Sequence, residues 1–282
     1  MQCQWQSYLK LLPPWLKDPV NRLGSDTLTE LRLRLGAAPE LVLLTHSAWL
    51  DRVVTKDDIN YCINAATQYS PWTASTAAAG FITAPGGHRL GLSGISSSPE
   101  GRHKGFYSVT SICVRVARDV SGIAAKLSRS HNSILLIGAP GCGKTTLLRD
   151  LIRQHSEKSD GSIVVIDERG ELFPIEHDQF CFPPGRRTDV LTGCSKTDAI
   201  VMMIRCMRPS VIAVDEITTE ADCVALLKAA WCGVRIFATA HAGSKEELFN
   251  RVVYKPLLDA NIFDTLVVLR PDKSWRLEKM YQ

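Results

Sequence analysis

The 282-residue sequence lacks the features that mark secreted, zinc-bound or membrane-spanning proteins. Its nine cysteines are an odd number and none forms a C-x-x-C pair, which argues against a disulfide framework or a zinc ribbon. No apolar run approaches the roughly 20 residues that cross a bilayer. Pro13-Pro14 interrupts the N-terminus, and no signal-peptide pattern precedes it. We therefore expect a cytoplasmic protein whose contact with a membrane could only be peripheral.

The sequence also has little excess charge and few aromatic residues. The formal net charge is +4 and aromatic residues make up 7% of the chain. A motor that moves along nucleic acid needs a basic groove with aromatic side chains for stacking, and Arg186-Arg187 is a meagre basic patch. Nucleic acid is therefore the less favoured partner.

The first part of the chain has the pattern of a small α+β domain, which we place at residues 1–125. Apolar and charged residues alternate in Leu31–Leu35 and again in Ile112–Val116, as in half-buried strands. Phe81–Leu92 has the pattern of a β-hairpin. Thr55 and Asp58 have the spacing of a capping box that opens a helix. We expect an antiparallel sheet here.

From Ser133 onward, short apolar strands alternate with helical patterns, which predicts a mostly parallel sheet covered on both faces. We place this α/β domain at residues 126–282, and the polar connector Ser128–Asn132 lies near its start. Ser244 and Glu247 have the spacing of a full capping box. Asp167–Ser195 is predicted to be a long functional loop. The predicted strands are Ile134–Ile137, Ile163–Ile166, Val211–Val214, Arg235–Thr239 and Thr265–Leu269, and the predicted helices are Thr145–His155, Thr197–Met207, Ala221–Cys232 and Lys245–Val253.

The most informative segment is Gly138–Thr145, which matches the phosphate-binding pattern G-x-x-x-x-G-K-[ST]. A strand precedes it and a helix follows, which is the order that phosphate binding at a helix N-terminus requires. Lys144 would contact the β- and γ-phosphates, and the Thr145 hydroxyl would bind Mg²⁺. The predicted cofactors are ATP and Mg²⁺. The residues predicted to bind the nucleotide are Gly138, Ala139, Pro140, Gly141, Cys142, Gly143, Lys144, Thr145 and Thr146.

Two Asp-Glu pairs follow predicted strands and would lie at the same edge of the sheet. Asp215 would bind Mg²⁺ beside Thr145, and Glu216 would activate the attacking water. Asp167-Glu168 follows another strand, so Glu168 competes with Glu216 for the role of general base, and the sequence leaves both open.

Two further kinds of residue are candidates for catalysis. His241 follows a third strand and would sense the γ-phosphate or serve as a structural histidine. Phosphoryl transfer also uses an arginine, which in many enzymes comes from a neighbouring subunit. Arg205 and Arg187 are the first choices for this arginine. The other candidates are Arg208, Arg89, Arg115 and Arg118.

Taken in order, these motifs resemble the stage III sporulation protein AA family, whose members are related to type II and type IV secretion ATPases. The resemblance rests on Gly138–Asp150, Val165–Arg169, Arg187–Leu191, Val211–Ile217 and Ala238–His241, and extends to Gly87–Gly94 in the first domain. The secretion ATPases usually carry Gly-Glu where this chain has Asp215-Glu216.

The resemblance implies an ATPase in the mother cell of an endospore-forming bacterium, at the inner face of a membrane. Residues 126–282 would be a RecA-like P-loop NTPase domain. The protein would form a hexameric ring and act on membrane-embedded proteins of a channel-like assembly. It also implies that Asp167-Glu168 is the acidic box of that family and that His241 belongs to its histidine box. Two other functions stay open: a nucleic-acid-dependent motor, and an ATP-switched binding module with little turnover.

Overall fold

The computed structural model describes residues 2–68, 80–97, 105–128, 132–176 and 178–281. Residues 129–131 of the predicted connector lie outside this range. Among the described residues, no helix combines the length and the apolar character needed to cross a membrane.

The described residues form both α-helices and β-strands. The helices are α1 (Trp5–Lys10), α2 (Pro14–Leu23), α3 (Lys56–Thr67), α4 (Lys144–Lys158), α5 (Lys196–Met207), α6 (Glu220–Trp231), α7 (Lys245–Asn250) and α8 (Lys255–Asp259). The strands are β1 (Leu28–Arg34), β2 (Glu40–Leu43), β3 (Ser47–Trp49), β4 (Phe81–Thr83), β5 (Arg89–Ser96), β6 (Phe106–Arg115), β7 (Ile134–Ile137), β8 (Ile163–Asp167), β9 (Ile175–Glu176), β10 (Gln179–Phe180), β11 (Thr188–Thr192), β12 (Val211–Ile217), β13 (Arg235–Ala240), β14 (Thr265–Leu269) and β15 (Trp275–Lys279).

The first unit contains a six-stranded sheet in the order β3-β2-β1-β6-β5-β4, and every neighbouring pair in it is antiparallel. Leu31 pairs with Val114 and Leu33 with Ile112, and all four side chains are buried. Because side chains alternate between the two faces of a strand, the intervening arginines of β1 lie on the other face. The antiparallel sheet, the β4-β5 hairpin and the capping box of Thr55 and Asp58 were all predicted, and the structure confirms them.

The second unit contains a seven-stranded sheet in the order β11-β8-β12-β13-β7-β14-β15. All pairs are parallel except β14 with β15. Every residue of β7 and β8 is buried, as expected for parallel strands with both faces covered. The mostly parallel sheet is therefore confirmed, and its five predicted strands lie where the sequence placed them.

The division between the two units differs from the predicted one at residues 125 and 126. The first unit contains Met1–Arg118 and Pro174–Cys181, and the second contains Asp119–Phe173 and Phe182–Gln282. Residues after Arg118 belong to the second unit because they are bound to α4. Asp119 pairs with Arg153 at 2.5 Å, and the N–H groups of Gly122 and Ala124 donate to Asp150.

The segment predicted as one long loop is more ordered than expected. It contains the hairpin β9-β10 and the edge strand β11, which pairs with β8. β11 was missed because it is only half-buried and rich in polar residues. β15, another half-buried edge strand, was missed for the same reason.

The predicted helix from Lys245 to Val253 is also wrong in two details. α7 ends at Asn250, and a 3₁₀ turn covers Val252–Tyr254. The Ser244 hydroxyl accepts from the N–H of Glu247, but the Glu247 carboxylate accepts from the N–H of Gly243 instead of that of Ser244. Only half of the predicted capping box is therefore formed.

Candidate functional site

The loop Gly138–Thr145 connects β7 to α4 at the carboxyl end of the parallel strands. A Cβ at Gly138 would lie 2.5 Å from Cys142 Sγ and 2.9 Å from the Leu269 carbonyl oxygen, so only glycine fits there. Gly143 has a φ of +99°, which glycine adopts without strain. Cys142 is buried beneath the loop, whereas Ala139, Pro140 and Gly141 are exposed.

The Lys144 ammonium lies against this loop. Its Nζ donates to the carbonyl oxygens of Gly138 at 2.8 Å and Ala139 at 3.0 Å, and it contacts His241 Nδ1 at 3.2 Å. Thr145 and Thr146 lie in the first turn of α4, whose N-terminus faces the same loop. All the residues predicted to hold phosphate therefore lie in one curved segment at the start of a helix.

Asp215 joins the loop to the middle of the sheet. Its Oδ2 accepts from the Thr145 hydroxyl at 2.7 Å, and its Oδ1 accepts from the Thr239 hydroxyl at 2.5 Å. The predicted metal pair of Thr145 and Asp215 is therefore brought into direct contact. Hydroxyl and carboxylate oxygens are the ligand types that Mg²⁺ prefers.

Glu216 lies in a β-bulge of β12. Val214 pairs with Ala238 and Ile217 with Ala240, so two residues of β12 lie opposite one residue of β13. Glu216 has a φ of +57°, and its N–H donates to the Thr239 hydroxyl at 2.7 Å. The bulge lets Asp215 and Glu216 both project from the strand end, which regular alternation would not allow.

His241 connects Lys144 to Glu216. Because an ammonium group only donates, His241 Nδ1 accepts from Lys144, and Nε2–H donates to Glu216 Oε1 at 2.7 Å. On the other side, Arg169 Nη1 donates to Glu216 Oε2 at 3.1 Å. Burial raises the pKa of Glu216, but the His241 hydrogen bond and the Arg169 charge outweigh it, so the pKa lies below its ordinary value.

The other acidic pair is bound differently. Asp167 accepts from three backbone N–H groups, those of Glu171, Leu172 and Phe173, at 2.8 to 2.9 Å. Burial raises its pKa, against the effect of those three donors. Glu168 is partly exposed and pairs with Lys196 at 2.6 Å. A crevice is lined by residues of both acidic pairs together with Arg169 and Lys196.

The candidate arginines of the second unit are not part of this cluster. Arg187 precedes β11, and Arg205 and Arg208 precede β12, so all three lie where parallel strands begin. The loop Gly138–Thr145 lies where the strands end, at the opposite edge of the sheet. These arginines therefore do not reach the site of their own chain. Arg205 and Arg187 remain predictions for a role across a subunit boundary.

The candidates in the first unit have contacts within that unit. Arg115 pairs with Glu30 at 3.4 Å, and the Arg89 guanidinium lies 4.5 Å from the centroid of the Phe81 ring. Arg118 donates to the carbonyl oxygens of Ser25 and Leu28. No assignment among the three follows from these contacts.

Two residues of the cluster were not predicted from the sequence. Thr239 ends the predicted strand Arg235–Thr239, and its hydroxyl bridges Asp215 and the backbone of Glu216. Arg169 lies next to Glu168 in the motif Val165–Arg169, and the sequence does not show that its side chain contacts Glu216. A polar residue at the end of a buried strand was the available signal for Thr239.

Along most of its length, this chain is similar to known proteins. The family model described as "Sporulation stage III, protein AA" matches residues 16–281. Stage III sporulation protein AA of Bacillus subtilis (strain 168) is 34% identical, over 94% of this chain and 91% of the relative. An uncharacterised protein, ycf45 of Porphyra purpurea, is 26% identical, over 93% of this chain and 45% of that protein.

Solved structures with the same fold are ATPases and motors. The ATPase DotB of Legionella pneumophila has a TM-score of 0.56, with 94% of this chain and 79% of DotB covered at 16% identity. The pilus retraction motor PilT with bound ADP has a TM-score of 0.59, with 91% and 77% covered at 16% identity. At these identities the likeness shows the fold. The family match and the Bacillus relative together show that the chain belongs to the sporulation stage III protein AA family.

Proposed function

We propose that this protein is a Mg²⁺-dependent ATPase with a RecA-like P-loop domain that hydrolyses ATP at the loop Gly138–Thr145. The observation that carries the proposal is the contact of Thr145 with Asp215, at 2.7 Å, beside a lysine held on the same loop. The residues fit the proposed ligands, because Gly141 and Gly143 have φ values of +78° and +99° that let the loop curve, and because the metal donor set consists of oxygen atoms. The fold neighbour PilT has bound ADP.

Mg²⁺ bound with ATP would supply charge neutralisation at the phosphates. Thr145 and Asp215 are the residues that would hold the metal. Lys144 would exchange its loop carbonyl partners for phosphate oxygens. Glu216 would accept the proton of the attacking water, and His241, which contacts both Lys144 and Glu216, would report whether the γ-phosphate is present.

Membership of this family supports a proposal for the cellular role. We propose that the protein acts in the mother cell at the inner face of the membrane, where it powers or assembles a channel-like trans-envelope complex with membrane-embedded partners. A hexameric ring would place Arg205 or Arg187 of one subunit at the site of the next, which would explain why neither reaches the site of its own chain.

The test is hydrolysis by the purified, assembled protein with and without Mg²⁺. We expect Lys144→Ala to lower kcat by about 100-fold or more, and a chelator to abolish turnover. Lys228→Ala, which removes an exposed lysine from α6, is the matched control and should hydrolyse like the wild type.

Three outcomes would contradict the proposal. Turnover that persists in Lys144→Ala would show that this loop does not bind the reacting phosphate. Tight ATP binding without turnover, with partner binding that follows the nucleotide, would favour a switched binding module. Strong stimulation by single-stranded DNA or RNA would favour a nucleic-acid motor.

A further inference from the structure

Both oxygens of the Glu216 carboxylate have a hydrogen-bond donor. His241 Nε2 donates to Oε1 at 2.7 Å, and Arg169 Nη1 donates to Oε2 at 3.1 Å. We propose that Arg169 is a positioning residue for hydrolysis, which orients the Glu216 carboxylate for the attacking water. This inference rests on the proposed ATPase function and adds a residue that the sequence motifs did not single out.

Arg169 projects from a turn that is fixed on both sides. The Asp167 carboxylate accepts from the N–H groups of Glu171, Leu172 and Phe173, and the N–H of Gly170 donates to the Asp167 carbonyl oxygen at 3.1 Å. From the other side, buried Arg149 of α4 donates to the carbonyl oxygens of Glu171 and Leu172 at 2.8 and 2.5 Å. The turn therefore holds the Arg169 backbone in one place relative to α4.

The backbone of Glu216 is fixed as well. Its φ of +57° and its hydrogen bond to Thr239 define the bulge, and Asp215 is held by Thr145. What remains free is rotation about the side-chain bonds of Glu216. If His241 were the single donor, the carboxylate could still rotate and move Oε2. The hydrogen bond from the Arg169 guanidinium to Oε2 prevents this rotation.

The two donors leave the carboxylate able to act as a base. An ionised carboxylate has about four lone-pair positions, and His241 and Arg169 use two of them. The Arg169 and Glu216 side chains are 45% and 34% exposed, so water reaches the pair. Since partly exposed ion pairs add little to folding, we expect the effect of Arg169 on turnover to exceed its effect on stability.

The nearby cations have other partners. Lys196 pairs with Glu168 at 2.6 Å, and Lys144 is bound to its own loop and to His241. The Lys196 charge also lowers the pKa of Glu216, but the hydrogen bond to Glu216 Oε2 comes from Arg169. A lysine at position 169 would keep the charge but lose the planar geometry of the guanidinium.

The experiment measures ATP hydrolysis by the full chain for Arg169→Ala, Arg169→Lys, Glu216→Gln and the double variant Arg169→Ala/Glu216→Gln. We expect Arg169→Ala to lower kcat about 10- to 100-fold, since misplacing a catalytic group by about 1 Å has effects of this size. KM should change less than about twofold, because the residue acts through Glu216 and not through ATP binding. Arg169→Lys should recover part of the loss.

The double variant distinguishes a positioning role of Arg169 from a general disturbance of the structure. If Arg169 acts through Glu216, Arg169→Ala should have no further effect in the Glu216→Gln background. Arg186→Ala is the matched control, because it removes an exposed arginine that pairs with Glu157 at 2.6 Å where the parallel strands begin. It should hydrolyse ATP like the wild type.

The results separate this inference from the proposed function. If the wild type hydrolyses ATP and Lys144→Ala does not, but Arg169→Ala keeps the wild-type kcat, the role of Arg169 is wrong and the ATPase stands. Additive losses in the double variant, or a rise in KM at constant kcat, would also overturn the positioning role. A wild type without turnover would overturn both.

Discussion

Two neighbouring parallel strands, β8 and β12, each carry an Asp-Glu dipeptide at or near the carboxyl end. The two aspartates accept hydrogen bonds from different kinds of groups. At the end of β8, Asp167 is buried and accepts from three backbone N–H groups. At the end of β12, Asp215 accepts from the hydroxyls of Thr145 and Thr239. The first aspartate stabilises a turn, whereas the second faces the loop that we propose to bind phosphate.

The two glutamates also have different hydrogen-bond partners. Glu168 is paired with one lysine, Lys196, and the backbone after it forms a turn. Glu216 lies on a bulge and contacts both His241 and Arg169. The Asp-Glu dipeptide at this edge of the sheet therefore has two different environments, because a turn follows β8 whereas a bulge interrupts β12. For this reason Glu216 is the general base that we propose, ahead of Glu168.

The largest expected effect separates the two glutamates. Glu216→Gln removes the proposed proton acceptor and should lower kcat by about 100-fold or more. Glu168→Gln removes one partner of a partly exposed ion pair and should change kcat by less than about threefold. Steady-state phosphate release at saturating Mg-ATP measures both. A larger loss for Glu168→Gln would reverse the assignment.

The two aspartates should differ in stability. Asp167→Ala leaves three backbone N–H groups without their acceptor and should lower the free energy of unfolding by about 3 kcal/mol. Asp215→Ala leaves two hydroxyl groups, which can rotate towards other acceptors, and should cost about 1 kcal/mol. Urea unfolding of both variants measures the difference. Equal losses would show that Asp167 is not the structural member of the two.

Much of the fold was predictable because its signals are local. Buried parallel strands are continuous apolar runs, such as Ile134–Ile137, and the capping box of Thr55 and Asp58 needs only four residues. The half-buried edge strand β11 was not predictable, since its polar residues resemble those of a loop. The assignment of Pro174–Cys181 to the first unit depends on contacts between distant residues, such as the bond from the Gly86 N–H to Glu176.

The candidate site, like the fold, was predictable only where its signals are local in the sequence. The sequence indicated the order of its parts, since the pattern Gly138–Thr145 and the acidic strand ends are readable as motifs. It did not show the bulge at Glu216, because a bulge is defined by pairing with a second strand. The contact of Arg169 with Glu216 joins residues 47 positions apart and follows from the order of strands in the sheet.

A smaller effect should follow when the bulge loses its internal hydrogen bonds. Thr239→Val keeps the shape of this buried side chain but removes the hydroxyl that serves both Asp215 and the N–H of Glu216. We expect kcat to fall about tenfold, because the catalytic group would be less well placed. Thr188→Val, which lies where β11 begins, is the matched control and should leave kcat unchanged. Wild-type activity in Thr239→Val would mean that Asp215 and Glu216 keep their geometry without it.

The smallest expected effect concerns the partner of the other glutamate. Lys196→Met keeps the buried aliphatic stem of this side chain and removes the ammonium that binds Glu168. Because Glu168 is 40% exposed, water can replace the lost partner, and the free energy of unfolding should fall by less than about 1 kcal/mol. Turnover should stay within about twofold of the wild type, since the hydrogen bonds to the Glu216 carboxylate come from His241 and Arg169. A loss of activity as large as that of Glu216→Gln would show that the pair of Glu168 and Lys196 takes part in hydrolysis. Residues at the ends of both β8 and β12 would then contribute to catalysis.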